Sequence, residues 1–203
     1  MKSTSALTPS PPSATMQLFR QAGFLAPTNS QLAQAEGLTI TEFSSRYPSR
    51  ADFVLHATLA DIERQKADHL RLYEHYSAAV ERLYGLLNYA LIDLTDLNPL
   101  YLNELPSFPK VWQTFQDHLA SYSSPQLQQL LNEGIRQKLF RSDINIQLVT
   151  IILLQQLTMV LTPGVFPAAI PVAEIFRSIF LYYIRGLCTE EGARLAAEHF
   201  ARI

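Results

Sequence analysis

Residues 14–53 read ATMQLFRQAGFLAPTNSQLAQAEGLTITEFSSRYPSRADF, and their punctuation decides the fold. Leu18, Phe19 and Ala22 fall on one side of a helix over Ala14–Ala22. Gly23 ends it, because the left-handed cap conformation costs glycine little. After Pro27 come Thr28, Asn29 and Ser30, whose side-chain oxygens accept from the free N–H groups of a new helix. That helix carries Leu32, Ala33 and Ala35 and closes at Gly37. Thr39 caps a third helix, Ile40 to Arg46, which Pro48 breaks, and Ser49 caps a longer one from Arg50. Helix, short glycine-bearing turn and helix is the helix-turn-helix plan, whose second helix can enter a DNA major groove.

The remainder of the chain is helical as well. It has 203 residues, 48% hydrophobic and 17% charged, enough for one or two domains with a sizeable core. Seven glycines and almost no strand-like alternation give an all-α reading. The net charge of −2 gives no bulk attraction for nucleic acid, so any attraction is local. A single cysteine, Cys188, excludes an intramolecular disulfide and fits a reducing cytosol, so the expected location is cytoplasmic. The N-terminus lacks an apolar signal core. The most apolar run, Ile144 to Leu161, is interrupted by Asn145, Gln147, Thr150, Gln155, Gln156 and Thr158, which argues against a membrane span.

In chain order, residues 1–13 are Ser/Thr/Pro-rich and read as a flexible arm, followed by a head over 14–52 and a helical body over 53–203. The helix from Ser49 runs to about Asp68, with Phe53, Leu55, Ala57, Leu59, Ala60 and Ile62 at helical spacing. Leu70 to Leu94 reads as a separate helix with a broad apolar stripe and a possible kink at Gly85. Three prolines then mark turns around one short helix, and Lys110 to Ser121 is helical with Val111, Trp112, Phe115 and Leu119 inward. Ser124 caps a helix with Pro125 at its first position, and Ser142-Asp143 caps Ile144–Leu161. The last long helix spans Val172 to about Leu187, and Thr189 caps a short terminal one.

Leu18, Phe19, Gly23, Phe24, Thr28, Leu32, Ala33, Gly37, Phe43, Tyr47, Ser49 and Arg50 resemble, collinearly and without a gap, the N-terminal domain of the tetracycline-repressor (TetR) family of bacterial transcription regulators. A second resemblance lies at Tyr183-Ile184-Arg185-Gly186-Leu187-Cys188-Thr189-Glu190-Glu191-Gly192. It looks like the R-G-[LI]-x-T-x-x-G segment near the C-terminus of many bodies of that family. The resemblance implies a helix-turn-helix head on a helical-bundle body that binds a ligand and dimerises. It implies a homodimer through the helices at about 144–161 and 172–187, both apolar on nearly all sides. Its partners would be double-stranded operator DNA, read at half-sites about 34–36 Å apart, and a small-molecule effector. Repression is the mode it implies first.

On that reading Thr28, Thr39, Thr41, Glu42, Ser44, Ser45, Arg46, Tyr47 and Arg50 form the DNA-facing set, hydroxyls and arginines suiting phosphates and base edges. Three features depart from the family. The usual basic arm before the first helix is replaced by STSALTPSPPS, with only Lys2 nearby. Ser44 stands where members usually carry a phosphate-contacting tyrosine. From Met1 to His56, Lys2, Arg20, Arg46 and Arg50 against Glu36, Glu42 and Asp52 leave a net of only +1. They support an alternative, a dimeric helical sensor or protein-binding module whose head binds DNA weakly. For the body, Tyr84, Trp112 and Phe115 are the first candidates to line an effector pocket, each weighed against a plain core role. No enzyme, metal or cofactor is implied. His69 and His75 are six residues apart and do not share a helical face, and no HExxH, CxxC, phosphate loop or GxSxG is present. Cys188, three residues after Arg185, has no base at a recognisable spacing.

Overall fold

A computed structural model describes residues 7–200, with the side chains of the last three of these left aside. Within them the chain is all-α. The head is α1 (Ala14–Ala22), α2 (Asn29–Ala35) and α3 (Ile40–Arg46), with the caps its sequence calls for. Thr28 and Thr39 each accept from the N–H three residues on, while Gln31 and Glu42 accept from the cap's own N–H, so both helices open on a reciprocal capping box. Gly37 takes a left-handed φ of 68° between α2 and α3. The Leu38 N–H then reaches the Ala33 carbonyl at 2.8 Å, which closes the turn.

α4 (Arg50–His75) is 26 residues long, about 39 Å at helical rise, and carries the chain from head to body without interruption. Phe53, Val54 and Ala57 at its start complete the head core with Met16, Phe19, Phe24 and Phe43. The Phe53 ring meets Phe43 and Tyr47 edge-on at 4.7 Å and Phe19 at 6.0 Å. That core continues into Leu105, Phe108 and Val111, so the limits at 52/53 fall inside one packed unit.

The body contains α5 (Ala79–Leu94), α6 (Pro99–Glu104), α7 (Pro109–His118), α8 (Ser124–Arg136), α9 (Ile146–Leu161), α10 (Val172–Leu187) and α11 (Glu190–Phe200). Leu83, Tyr84, Leu131, Phe140, Leu153, Phe176, Phe180 and Ile184 make its core. Among the described residues no helix is long and apolar enough to cross a membrane.

Several boundaries differ from the sequence reading. Leu70–His75 belongs to α4, not to the next helix, and the break falls at Tyr76-Ser77-Ala78. It is held by one tertiary bond, Gln137 accepting from the Ala79 N–H at 2.8 Å, and by two local ones, Glu81 accepting from the Ala78 N–H at 3.3 Å and Arg82 donating to the Tyr76 carbonyl at 2.7 Å. Gly85 lies inside an unbroken α5, where a Cβ would come within 2.5 Å of Leu72, so it is a crossing point rather than a kink. α7 and α8 are joined by a π-helical turn, Leu119–Ser123, instead of a capped start at Ser124. Asn145, not Ser142-Asp143, caps α9. The arm expected to be flexible is docked on α4 from Leu7 onward, and residues 1–6 and 201–203 lie outside the described residues.

The C-terminal T-x-x-G has a physical reason. The Thr189 hydroxyl accepts from the Gly192 N–H and donates to the Lys138 carbonyl at 2.8 Å, so it caps α11 while pinning it to the 138–141 segment. A bridge between Phe140 and Cys188 completes the junction. At Gly192 a Cβ would fall 2.0 Å from the Leu139 carbonyl oxygen, a backbone atom that cannot swing away. Gly192→Ala is therefore expected to destabilise by about 1–3 kcal/mol in urea unfolding. Gly186→Ala, with nothing within 4 Å of its new methyl, should stay within about 1 kcal/mol of the parent.

Candidate functional site

The head presents α3 to solvent. Phe43 is its one buried residue, while Thr41, Glu42, Ser44, Ser45 and Arg46 are exposed. The sequence-predicted DNA set divides in three. Thr41, Ser44, Ser45 and Arg46 project outward from α3. Thr28, Thr39 and Glu42 are exposed but engaged in the capping boxes, where bonds from Thr39 hold the Glu42 carboxyl below its ordinary range. The last two members face inward. Arg50 donates to the Pro27 carbonyl at 2.8 Å and to Asn29 Oδ1 at 3.0 Å, clamping the start of α4 to the α1–α2 turn. Tyr47 packs against Phe43, Phe53 and His56, and its hydroxyl is buried with no hydrogen-bond partner among the described residues.

The far end of α1 is fastened to the body. Asn98 donates from its backbone N–H to the Arg20 carbonyl at 2.9 Å and from its amide to the Gln21 carbonyl at 2.8 Å. Glu104 Oε2 accepts from the N–H groups of Phe24 and Leu25, and the Phe24 ring lies 4.5 Å from Tyr101 and 5.2 Å from Phe108.

Beside this anchor runs a partly buried ion network. Arg20 of α1 reaches Asp93 of α5 at 2.9 Å and Asp61 of α4 at 3.5 Å. Arg64 reaches Asp61 at 2.7 Å and both Asp68 and Asp93 at 3.3 Å, and Arg71 completes Asp68. Three arginines thus meet three carboxylates, of which Asp61 and Asp68 are buried. Burial opposes the charged form of Arg64, but its bonds to Asp61 and Asp93 outweigh it and raise its pKa. The sequence reading did not single out this set, although Asp61, Arg64, Asp68 and Arg71 fall at i, i+3, i+4 steps along one helix face.

The network borders two cavities. The first, about 190 Å³, lies among α4, α5, α7, α8, α9 and α10, with Arg64, Asp68 and Asp93 at one side and Leu83, Leu87, Leu153 and Phe180 as apolar wall. The other, also about 190 Å³, sits under the head, and Arg20, Asp61, Asp93, Tyr101 and Trp112 line it. Gln65, Ala90, Asp93, Phe115, His118 and Leu157 are common to both. The three predicted pocket aromatics therefore part company. Phe115 stands in the shared wall, Trp112 lines the cavity under the head alone, and Tyr84 lines a third space of about 160 Å³ against α10. His69, Tyr89, His118 and Tyr122 line the first cavity and were not in the predicted ligand set. The Tyr122 ring lies nearly parallel to His69, 6.0 Å away, and to His118, 5.0 Å away. Cys188 is a half-buried free thiol, and burial pushes it up to about 11, away from the thiolate that a reactive cysteine needs.

No protein-family model matches the chain, and no curated protein matches its sequence. Solved structures do. The chain is similar to a protein from Saccharomonospora viridis solved in complex with choline, with a TM-score of 0.64 and 16% identity over 87% of this chain and 94% of that one. It is similar to PfmR of Thermus thermophilus, a TetR family transcriptional regulator, with a TM-score of 0.55 and 20% identity over 87% and 97%. It is also similar to Thermus thermophilus FadR, a TetR family repressor solved with lauroyl-CoA, with a TM-score of 0.53 and 18% identity over 87% and 92%. The fold is that of the TetR-family regulators. At these identities the likeness is one of architecture, and the TetR-like fold accounts for the exposed α3, the continuous α4 and the cavity-bearing bundle together.

The cavity wall carries a titratable reporter. Burial, with His118 nearby, pushes His69 down to about 4 from an ordinary value of about 6.5. A folded-state pKa below the unfolded one means that the unfolded chain takes up the proton first as pH falls. The contribution is full above about pH 6.5, is lost as pH drops towards about 4, and is bounded by about 3 kcal/mol. His69→Phe, which keeps a ring against Tyr122, should flatten the fall of urea-derived stability between pH 6.5 and 4.5 relative to the parent.

Proposed function

We propose that the protein is a homodimeric, DNA-binding transcriptional regulator whose grip on a palindromic operator answers to a small molecule held in its body. The observation that carries this reading is one arrangement: an exposed helix α3 on a head whose α1 shares the carboxylate of Asp93 with the wall of an apolar cavity. A ligand that binds better to one head spacing than to another shifts the operator-competent population by that difference. Repression is the default mode for this fold. The DNA-facing group is Thr41, Ser44, Ser45 and Arg46, with Thr28 and Thr39 beside it. Arg50 and Tyr47 hold the head in shape.

The effector that fits the first cavity is mainly apolar and uncharged, with one hydrogen-bonding group. Its charged wall is already balanced, so a further buried charge would go uncompensated. Tyr89, buried in that wall, has a hydroxyl with no hydrogen-bond partner among the described residues. The dimer surface is the α9–α10 face. Leu148, Ile151, Ile152 and Met159 of α9 and Tyr182 of α10 are large exposed apolar residues, and Tyr182 is 70% exposed. A face of that kind, repeated on a second copy, makes an isologous interface.

A second reading is favoured by Ser44 and the head's near-neutral charge: a ligand-binding dimer whose head holds DNA weakly. Titration of DNA from the region upstream of the coding sequence, at low and moderate salt, separates the two. The regulator reading expects saturable binding that survives competitor DNA. Log affinity should fall with log salt by about 0.9 per phosphate neutralised. Arg46→Ala should weaken binding at least about tenfold with helix content and dimer unchanged. Binding unaffected by Arg46→Ala, or absent in a folded dimer, favours the second reading. Ile152→Glu should yield monomers by analytical ultracentrifugation and lose operator binding with them.

A further inference from the structure

The N-terminal segment is built into the body. Ser13 caps α1 by accepting from the Met16 N–H, and the Pro12 carbonyl accepts from Gln17 Nε2 at 2.9 Å, which fixes the direction in which the chain leaves the helix. Three charged residues of α4 then hold Ser10. Its N–H donates to Asp68 Oδ2 at 2.8 Å and its hydroxyl to Asp68 Oδ1 at 2.7 Å. Its carbonyl accepts from Arg64 Nη1 at 2.7 Å, and its Oγ accepts from Arg71 Nη2 at 2.7 Å. Every polar atom of this one residue is bonded to a member of the ion network.

One neighbour of Ser10 borders the cavity and another anchors the segment beside it. Pro9 stands in the wall of the first cavity beside Arg64, Asp68 and Tyr89. Leu7 packs on the apolar cluster of Leu72, Tyr76 and Tyr89. Asp68 lies eighteen residues beyond the first residue of α4, roughly 27 Å along the helix, so the strap runs away from α3 and towards the body. With Pro9, Pro11 and Pro12 in it, the segment has little conformational freedom to lose on docking. It can therefore be held by one residue's hydrogen bonds and a single apolar anchor.

We propose that residues 7–12 are a movable wall of the effector cavity, with Ser10 as its latch: ligand enters and leaves where the strap lies, and the strap closes over it. This rests on the reading of the first cavity as the effector site. The latch also touches the head. Arg64, which holds the Ser10 carbonyl, holds Asp93 as well, and Asp93 holds Arg20 of α1. Opening the strap thus withdraws partners from the same charges that fasten α1.

The test is the rate of uptake of N-phenyl-1-naphthylamine, an uncharged apolar fluorophore with a single N–H, followed by stopped-flow fluorescence. The parent is compared with Ser10→Pro, which removes both donors to Asp68, and with a chain beginning at Ser13. Helix content is checked for each, and Ser10→Pro decides if the shortened chain does not fold. Leu154→Trp, which fills the first cavity from its wall, locates the dye. The strap proposal expects uptake and release at least tenfold faster in the opened variants, and dye binding lost in Leu154→Trp. Equal rates in parent and opened variants, with binding still lost in Leu154→Trp, overturn the strap and leave the cavity reading standing. No dye binding in any form, or binding indifferent to Leu154→Trp, overturns the cavity reading and the strap together.

Discussion

Three carboxylates, Asp61, Asp68 and Asp93, stand between the two cores of this protein, and each closes on an arginine. The arrangement follows from the cost of taking charges out of water, which attraction repays only when every charge is met with good geometry. Arg64 reaches all three carboxylates, so none of its contacts can be lost without leaving a partner short. Removing a partner of Asp61 or Asp68 costs the most, because those two carboxylates stay buried, whereas Arg71 is half exposed. The network therefore behaves as a unit, and it joins α1, α4 and α5. The chain passes from head to body only once through α4, yet the head is bound to the body at Asp93, Asn98 and Glu104 as well.

The head was legible in the sequence because its determinants are local. Gly23 and Gly37 end helices, Thr28, Thr39 and Ser49 begin them, and each of these acts on residues within a turn of itself. The body was less so. Gly85 is the one residue between Leu70 and Leu94 that reads as punctuation, and the real break at Tyr76–Ala78 is held by Gln137, 58 positions beyond Ala79, together with the nearby Glu81 and Arg82. The same limit governed the pocket. Trp112, Phe115 and Tyr84 share the size and polarity of a ligand wall, but which cavity each one lines depends on how α5, α7 and α10 cross. The stripe of Asp61, Arg64, Asp68 and Arg71 was visible at helical spacing. Its partners Arg20 and Asp93, on other helices, were not.

The N-terminal segment shows where composition misleads. Serine, threonine and proline without periodicity describe a chain that cannot build a core of its own, and such segments are commonly loose. They do not exclude docking on a surface prepared elsewhere. Ser10 finds its partners 54 to 61 positions away, on a helix whose charges are already ordered by one another. The entropy of fixing the strap is low because proline has set much of its geometry beforehand. Where the resemblance implies a basic arm, residues 7–13 carry no charge and run towards the body.

The cavity's position gives the network its consequence. Asp93, Phe115, His118, Ala90, Gln65 and Leu157 separate the space among the body helices from the space under the head. The side chains of this shared wall sit in discrete rotamers, so it has alternative arrangements rather than a smooth range. On the regulator reading, filling one space acts on the other through a small number of alternative packings of the shared residues. Asp93 is the member with an ion-pair partner in α1, so a packing that moves it changes what holds Arg20. On the regulator reading, the energy available for moving the heads is the ligand's preference between those packings, and a preference of about 1–3 kcal/mol suffices for a 5- to 150-fold change in affinity.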